Sequence, residues 1–447
     1  EPGRLGLNAK QAWGDDTGYA ANKAYFIGMN GAAYAGPKGD TLPIFTAPDE
    51  ANETLLTTPL HGLHVDMGAR MTAFAGYDMP VWYTSVAEEH MAVRTGAGVF
   101  DVTHMGVFEA KGAGAEAFLD AVTTNDVYSL ATGESQYTYL LDTNGVPLDD
   151  LMIYKLGAGH YLIVVNASNN DKNWAWLNAV KDGSVAIDAA QSWRKLGGRD
   201  RFTLRDLRAD SSGADRRVDI ALQGPQSKAI LLGLGGADAD VKRVSGLAWA
   251  GVTQATLGEF DLIVSRTGYT GERTAYELFV HPDRAAALFR KLLEGGATAC
   301  GLAARDSLRT EAGLPLYGHE LGGDLKLNPA DAGFGSYVKL WKPFFVGKQA
   351  FIRHERERDS STVRFRLERK GARPPHPGDR VLNEAGEAIG VVTSCSIDSE
   401  RLQLGQAYVK EAYGNEGVRV IVQRHDGSGT PEPAAILSRF PKAKKKS

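Results

Sequence analysis

Two adjacent carboxylates stand out in this chain. Leu148-Asp149-Asp150-Leu151 lies in a run of strand-type residues. With a two-residue period, Asp150, Met152 and Tyr154 share one face, and Asp149, Leu151 and Ile153 share the other. A carboxylate among apolar strand positions is costly if buried unpaired. Either a partner or ligand satisfies one of the two, or both stand solvated at the strand mouth. The chemistry open to such a group is to accept hydrogen bonds or to carry a proton.

Other reactive types are sparser. Arg266, Arg305 and Arg309 flank glycine-rich loops and are candidate anion-binding groups, with ion pairing to nearby carboxylates the simpler reading of each on residue type alone. His61 and His64 are three residues apart and could reach one metal, but no third imidazole or thiol lies near them in sequence, so two ordinary histidines are the simpler reading. Cys300 and Cys395 are far apart and form no CxxC or Cys/His cluster, which argues against structural zinc and a disulfide framework. A GxxxxGK[ST] loop, a GxGxxG after a strand and a GxSxG elbow are all absent, so nucleotide binding and serine-hydrolase chemistry start weak.

The elements that must position these groups can be read from periodicity. Tyr137, Tyr139 and Leu141 alternate into Asn144-Gly145, a strong hairpin signal. The return strand runs from Leu148 to Leu156, and after Gly157-Ala-Gly159 comes Tyr161-Leu-Ile-Val-Val165-Asn166. Three consecutive antiparallel strands bring Tyr137, Asp150 and Asn166 onto neighbouring positions of one sheet. Helical spacing marks Glu88–Thr95, Glu116–Val122, Arg284–Leu293 and Ala303–Ala312. Ile220-Ala-Leu-Gln-Gly224-Pro225 with Ser227–Leu232 reads as strand, turn and helix, and Leu262–Ser265 as a strand feeding the loop Arg266–Glu272. The mixture predicts an α+β fold. The run Arg353–Asp359 reads as a solvated charged linker, and Thr362–Val422 as a small β-barrel. The implied division is an N-terminal extension over 1–54, a core of two lobes over 55–350 and a barrel over 361–447. The lysines between Lys442 and Lys446 read as a solvated tail.

Composition sets the outer limits. The 447 residues carry 50 Lys and Arg against 54 Asp and Glu, a formal net charge of −4, which disfavours a nucleic-acid partner. No apolar stretch approaches a membrane span, and the N-terminus lacks a signal pattern, so a soluble protein is expected. The 52 glycines are well above ordinary usage and imply many tight turns and close backbone approaches.

Several segments together resemble a known family. Gly68-Ala-Arg-Met71, Phe74-Ala-Gly76, Met79-Pro80, Glu88-Glu89-His90, Phe100-Asp-Val-Thr-His-Met105-Gly, Leu148-Asp-Asp-Leu151 and Val164-Val-Asn-Ala167 resemble, in order, the glycine cleavage system T-protein family of aminomethyltransferases. The resemblance continues through Leu222-Gln-Gly-Pro225, Arg266-Thr-Gly-Tyr-Thr-Gly-Glu272, Gly301-Leu-Ala-Ala-Arg-Asp306, Glu311-Ala-Gly313 and Phe345-Val-Gly-Lys348. It implies three lobes around a central site for tetrahydrofolate, used as co-substrate. It also implies transfer of a one-carbon unit from the aminomethyl-lipoyl arm of H-protein, with ammonia released. By the same resemblance Asp150 is the catalytic carboxylate near folate N10, Glu277 accepts from the pterin edge and Arg305 stands on the folate side. Met105, Tyr137, Met152, Tyr154, Asn166 and Tyr269 line the pocket. The compartment implied is bacterial cytoplasm, or mitochondrial matrix in a eukaryote.

The chain departs from the family pattern at identifiable places. Thr270–Glu277 is one residue longer than usual, which bears on the register of Glu277, and Glu109 stands where a related pocket position is apolar. An altered pocket would suit an alternative, a tetrahydrofolate-dependent demethylase or methyltransferase acting on a small methyl donor. A non-enzymatic folate-binding relative of the iron–sulfur maintenance type would need a cysteine-containing loop motif, and neither Cys300 nor Cys395 sits in one.

Overall fold

The computed structural model describes residues 38–48 and 54–441. Most of the 1–54 segment and the Lys442–Lys446 cluster lie outside them. Residues 38–48 run along the first lobe: the Leu42 amide donates to the Ser192 carbonyl, the Ala186 amide donates to the Pro43 carbonyl, and Phe45 packs on the core.

Helix α1 (His61–Asp66) and the hairpin of β1 (Arg70–Phe74) and β2 (Tyr77–Trp82) come first. Helix α2 (Val86–Thr95) follows, its N-terminus capped where the Ser85 oxygen accepts from the Glu88 amide. Strand β3 (Gly98–Asp101) belongs to the second lobe. The first lobe is built from β4 (Gly106–Gly112), α3 (Ala115–Val122), β5 (Ser135–Leu141), β6 (Pro147–Gly157), β7 (His160–Val165), α4 (Asn170–Asp182) and β8 (Phe202–Asp206). Its antiparallel sheet has the order β5-β6-β7-β4-β8. The strands expected around Asn144-Gly145 are present, and Asp142 tightens the connection by accepting from the amides of Asn144 and Val146.

The second lobe comprises β9 (Val218–Gln223), α5 (Ser227–Gly233), α6 (Asp238–Ser245), β10 (Val252–Leu257), β11 (Phe260–Ser265), β12 (Ala275–Val280), α7 (Pro282–Glu294), β13 (Thr298–Ala299) and α8 (Leu302–Ala312). Its sheet order is β10-β11-β12-β9-β3-β13. Proline in the first turn of α7 needs no amide donor there, and α8 ends on Gly313 in the left-handed region. Helix α9 (Lys348–Glu357) leads into β14 (Ser360–Leu367), β15 (Arg380–Leu382), β16 (Ala388–Ile397), β17 (Gln403–Lys410), β18 (Arg419–Gln423) and β19 (Glu432–Leu437). These six strands close as a barrel, β14-β17-β16-β15-β18-β19, which makes the fold α+β with a C-terminal β-barrel, as expected.

Each sheet is apolar on both faces. In the first lobe Leu151, Ile153, Ile163 and Val165 pack under α3 and α4, and in the second Ile220, Leu222, Leu278 and Val280 pack under α7. The inner faces meet: Val107, Tyr154, Leu162 and Val164 from one touch Val252, Ile263 and Phe279 from the other.

The charged run Arg353–Asp359 is not a solvated linker. Its first five residues complete α9, where Phe351 and Ile352 are buried. Glu355 is buried as well, and its Oε1 pairs with Arg358 at 3.1 Å; Arg358 also donates to the Ser360 carbonyl and reaches Glu411 at 2.6 Å. Internal pairing makes these charges compatible with burial, which composition alone does not reveal.

Glu311 joins α2, α8 and the barrel. It accepts from Arg94 Nε at 2.8 Å, lies 3.1 Å from His90 Nε2, and takes both the amide and the hydroxyl of Ser399. Partly offset by burial, these partners hold its carboxyl below the usual carboxylate range. Such a depressed group stabilises the fold fully above its unfolded value of about 4.3 and loses that contribution as pH falls towards the folded value. Glu311→Gln should cost about 2 kcal/mol of stability at pH 7. The gap to wild type in chemical denaturation should narrow steadily below pH 4; equal stability at pH 7 would contradict the assignment.

Candidate functional site

Between the inner faces of the two sheets and α8 lies a cavity of about 790 Å³. Met105, Tyr137, Asp150, Met152, Asn166, Tyr269, Glu277 and Arg305 line it. Tyr154 stands behind Glu277, fully buried, and reaches the site through its hydroxyl.

At one end the two aspartates divide as strand alternation requires. Asp149 turns to the core side and is fully buried, whereas Asp150 faces the cavity. Asp149 accepts four hydrogen bonds: from the Asn166 amide at 3.0 Å and from the side-chain amides of Asn166, Asn169 and Asn173 at 2.9, 2.6 and 2.5 Å. Asp150 accepts from the Tyr137 hydroxyl at 2.7 Å and from Asn166 Nδ2 at 2.8 Å. Asn166, just beyond β7, therefore clamps both carboxylates. Solvation at the strand mouth does not describe this pair.

Burial raises the pKa of both acids, and the neighbouring Asp150 adds to the rise at Asp149. The two are coupled, so the upper titration belongs to the pair. Hydrogen-bond geometry decides where the proton sits. All of the strong acceptor directions of Asp149 are filled by N–H donors, so a proton taken up by the pair resides on Asp150. Burial and the neighbouring Asp150 raise the Tyr137 phenol far above its usual range, which keeps it a donor.

At the other end Glu277 projects from β12. Its Oε2 accepts from the Tyr154 hydroxyl at 2.7 Å and from Thr267 Oγ1. Oε1 has no protein donor among the described residues, so it is the oxygen available to a ligand. Glu277 stands in the ladder of β12 with β9, opposite Ala221. The loop before β12 is tightly seated: a Cβ on Gly268 would come within 2.6 Å of Ala275 and 2.7 Å of the Gln223 amide. Gln223 Oε1 accepts from Thr270 Oγ1 at 2.6 Å, and the Tyr269 hydroxyl donates to the Pro315 carbonyl.

The three arginines part company. Arg309 is buried in ion pairs with Glu320 and Asp306. Arg266 lies across the Leu247 and Arg273 carbonyls. Arg305 has an unpartnered Nη1, and its guanidinium lies 5.0 Å from the centre of the Tyr269 ring. Helix α8 brings it there from its N-cap Gly301, where a Cβ would stand 2.2 Å from the Val81 carbonyl oxygen.

Other sequence candidates lie elsewhere. Glu109 is not a cavity residue: it pairs with His160 at 2.8 Å and Arg205 at 2.7 Å. His61 binds Asp78, while His64 is held between Asp101 and the Tyr83 hydroxyl. Among the described residues no three potential metal ligands converge, and no helix is long and apolar enough to cross a membrane. Sequence reasoning missed His104, Thr267 and Trp249, all of which line the cavity, and the asparagines around Asp149. The spacing of Asn166, Asn169, Asn170 and Asn173 at the start of α4 was the available signal.

Comparison with known proteins agrees with this architecture. Residues 60–342 match the family described as the GCVT N-terminal domain. The chain is 41% identical over 382 residues to an aminomethyltransferase of Thermus thermophilus, covering 85% of this chain and 97% of that one. It is 37% identical over 371 residues to an aminomethyltransferase of Chloroherpeton thalassium, covering 82% and 93%. Among solved structures, the glycine cleavage system aminomethyltransferase T from Bartonella henselae is similar with a TM-score of 0.72 and 30% identity, covering 86% of this chain and 97% of that one. The chain belongs to the GCVT family of aminomethyltransferases.

Proposed function

We infer that this protein is the aminomethyltransferase of a glycine cleavage system. It takes the one-carbon unit from the aminomethyl-lipoyl arm of an H-protein and passes it to tetrahydrofolate, with ammonia as the second product. The observation that carries this reading furthest is one cavity with two held carboxylates at opposite ends: Asp150 under Tyr137 and Asn166, and Glu277 under Tyr154 and Thr267. The free oxygen of Glu277 suits the paired N–H donors of a pterin edge. The methionine and tyrosine walls suit the flat, largely apolar body of a folate. Arg305 is available to an anionic or carbonyl group of the same ligand.

In this reading Asp150 handles charge and proton at the reacting carbon. Ionised, it orients the folate amine near it and stabilises the cationic one-carbon intermediate left when ammonia departs; protonated, it returns a proton. Tyr137 and Asn166 fix the carboxylate without competing for the proton. Glu109 would have favoured a methyl-donor enzyme by altering the pocket. Its ion pairs remove it from the cavity. The relatives named above are bacterial, and we place the protein in the cytoplasm.

Given tetrahydrofolate and aminomethyl-loaded H-protein, the wild-type chain should release ammonia and form methylenetetrahydrofolate in equal amounts. A folded, folate-binding sample that releases no ammonia contradicts the function. Asp150→Asn should lose on the order of 10²–10⁴-fold in turnover, the usual range for a proton-handling group, while still binding folate. Unchanged turnover would mean that another carboxylate does the chemistry. Because burial raises the Asp150 carboxyl, kcat should fall on acidification with a midpoint above the ordinary aspartate value of about 3.9. An acid limb near pH 4 would rule out this electrostatic picture.

A further inference from the structure

Asp219 is a buried carboxyl for which the reaction as described has no use. It is fully buried in β9, and neither of its oxygens has a hydrogen-bond partner among the described residues. Its direction follows from the ladder. Val218, Ile220 and Leu222 point to the outer core with α7, so Asp219, Ala221 and Gln223 point the other way; Asp219 shares the inner face of the sheet with its ladder partner Phe279, beneath the residues that line the cavity. Gln223, on the same face, accepts from the Tyr269 amide and the Thr270 hydroxyl of the loop before β12. Asp219 pairs across the ladder with Phe279, and Glu277 pairs with Ala221. The two acids are thus diagonal neighbours on one face of adjacent strands, a separation of about 7–8 Å.

We propose that Asp219 is a positioning residue of the folate site, one that governs through Arg305 how firmly the cavity holds its anionic ligand. The inference rests on the proposed function. Three groups face this spot from separate elements, Glu277 from β12, Arg305 from α8 and Tyr154 from β6, while His104, from the turn after β3, lies beside Arg305. Arg305 is the neighbour that Glu277 and Asp219 share, and its Nη1 has no hydrogen-bond partner among the described residues. Burial keeps His104 a neutral imidazole, with a pKa lowered to about 4, so it neither neutralises nor duplicates the guanidinium. Burial first, and Glu277 second, raise the Asp219 carboxyl well above the usual range; Arg305 offsets only part of this.

The consequence is a charge balance. While Asp219 carries its proton, Glu277 and Asp219 together bear one negative charge. Glu277 then spends its free oxygen on the ligand, and the Arg305 charge stays directed at the cavity. When Asp219 loses its proton, a second negative charge appears below the guanidinium and cancels its pull on an anion. Affinity for an anionic folate therefore falls with rising pH, and it falls only if residue 219 can ionise. A buried polar group with no partner is otherwise a cost to the fold.

Tetrahydrofolate titrations of the full-length chain, done calorimetrically and without oxygen from pH 6.5 to 9.5, test this in wild type, Asp219→Asn and Asp219→Leu. Ionisation of the ligand affects all three proteins alike and cancels in the comparison. The wild-type Kd should rise over this range by about fivefold or more beyond any rise in Asp219→Asn, the scale of one partly screened charge at this distance. Asp219→Leu, which removes the unpartnered group, should follow the Asn profile and unfold at a higher temperature than wild type. Parallel profiles for wild type and Asp219→Asn, or a flat wild-type profile, overturn the proposal. A wild-type protein that binds no tetrahydrofolate at any pH overturns the reading of the cavity itself.

Discussion

The site depends on one buried anion. Asp149 is held by four N–H groups from three asparagines. These donors come from the end of β7, the turn after it and the first turns of α4, so the carboxylate joins the middle of a sheet to the helix that covers it. Removing water from a carboxylate is costly, and only a nearly complete set of donors makes the position tolerable. That set also fixes Asn166, whose remaining bonding capacity goes to Asp150. Core packing, the β7–α4 connection and the direction of the cavity carboxylate are thus one arrangement.

The second lobe repeats this scheme in a different form. Glu277 is held by a tyrosine from the opposite sheet, so the Tyr154 bond fixes the acid and also ties the two inner faces together. Met105, Met152 and Phe279 fill the space around it. Each carboxylate keeps acceptor capacity towards the cavity while its other bonds are satisfied by protein. Groups so held need little rearrangement when a ligand arrives, which is the physical basis of preorganisation. Glu311 does comparable work outside the cavity, connecting α2 and α8 to the turn between β16 and β17.

Much of this was legible in the sequence because it follows from local periodicity. The alternation of Leu148 to Tyr154 correctly separates Asp149 from Asp150, and the turn signals at Asn144-Gly145 and Gly157–Gly159 order three strands. What stayed hidden depends on distant pairing. Arg353–Asp359 looks solvated until Glu355 and Arg358 are seen to neutralise each other inside the fold. Glu109 looks like a pocket residue until β8 brings Arg205 beside it. His104, Thr267 and Trp249 reach the cavity from three separate loops, and no spacing rule links positions so far apart. The arginines show the same limit: residue type suggested ion pairing for all three, and only Arg309 has it among the described residues.

The account stands on Asp149 being the permanent anion and Asp150 the carboxyl that gains and loses the proton. Neutron diffraction from perdeuterated crystals, held at a pH on the acid side of the kcat midpoint, locates that proton directly. The account predicts a deuteron on Asp150 and none on Asp149, with the amides of Asn166, Asn169 and Asn173 directed at the bare carboxylate. A deuteron on Asp149, or an Asn169 or Asn173 amide turned so that its oxygen faces Asp149, would contradict it.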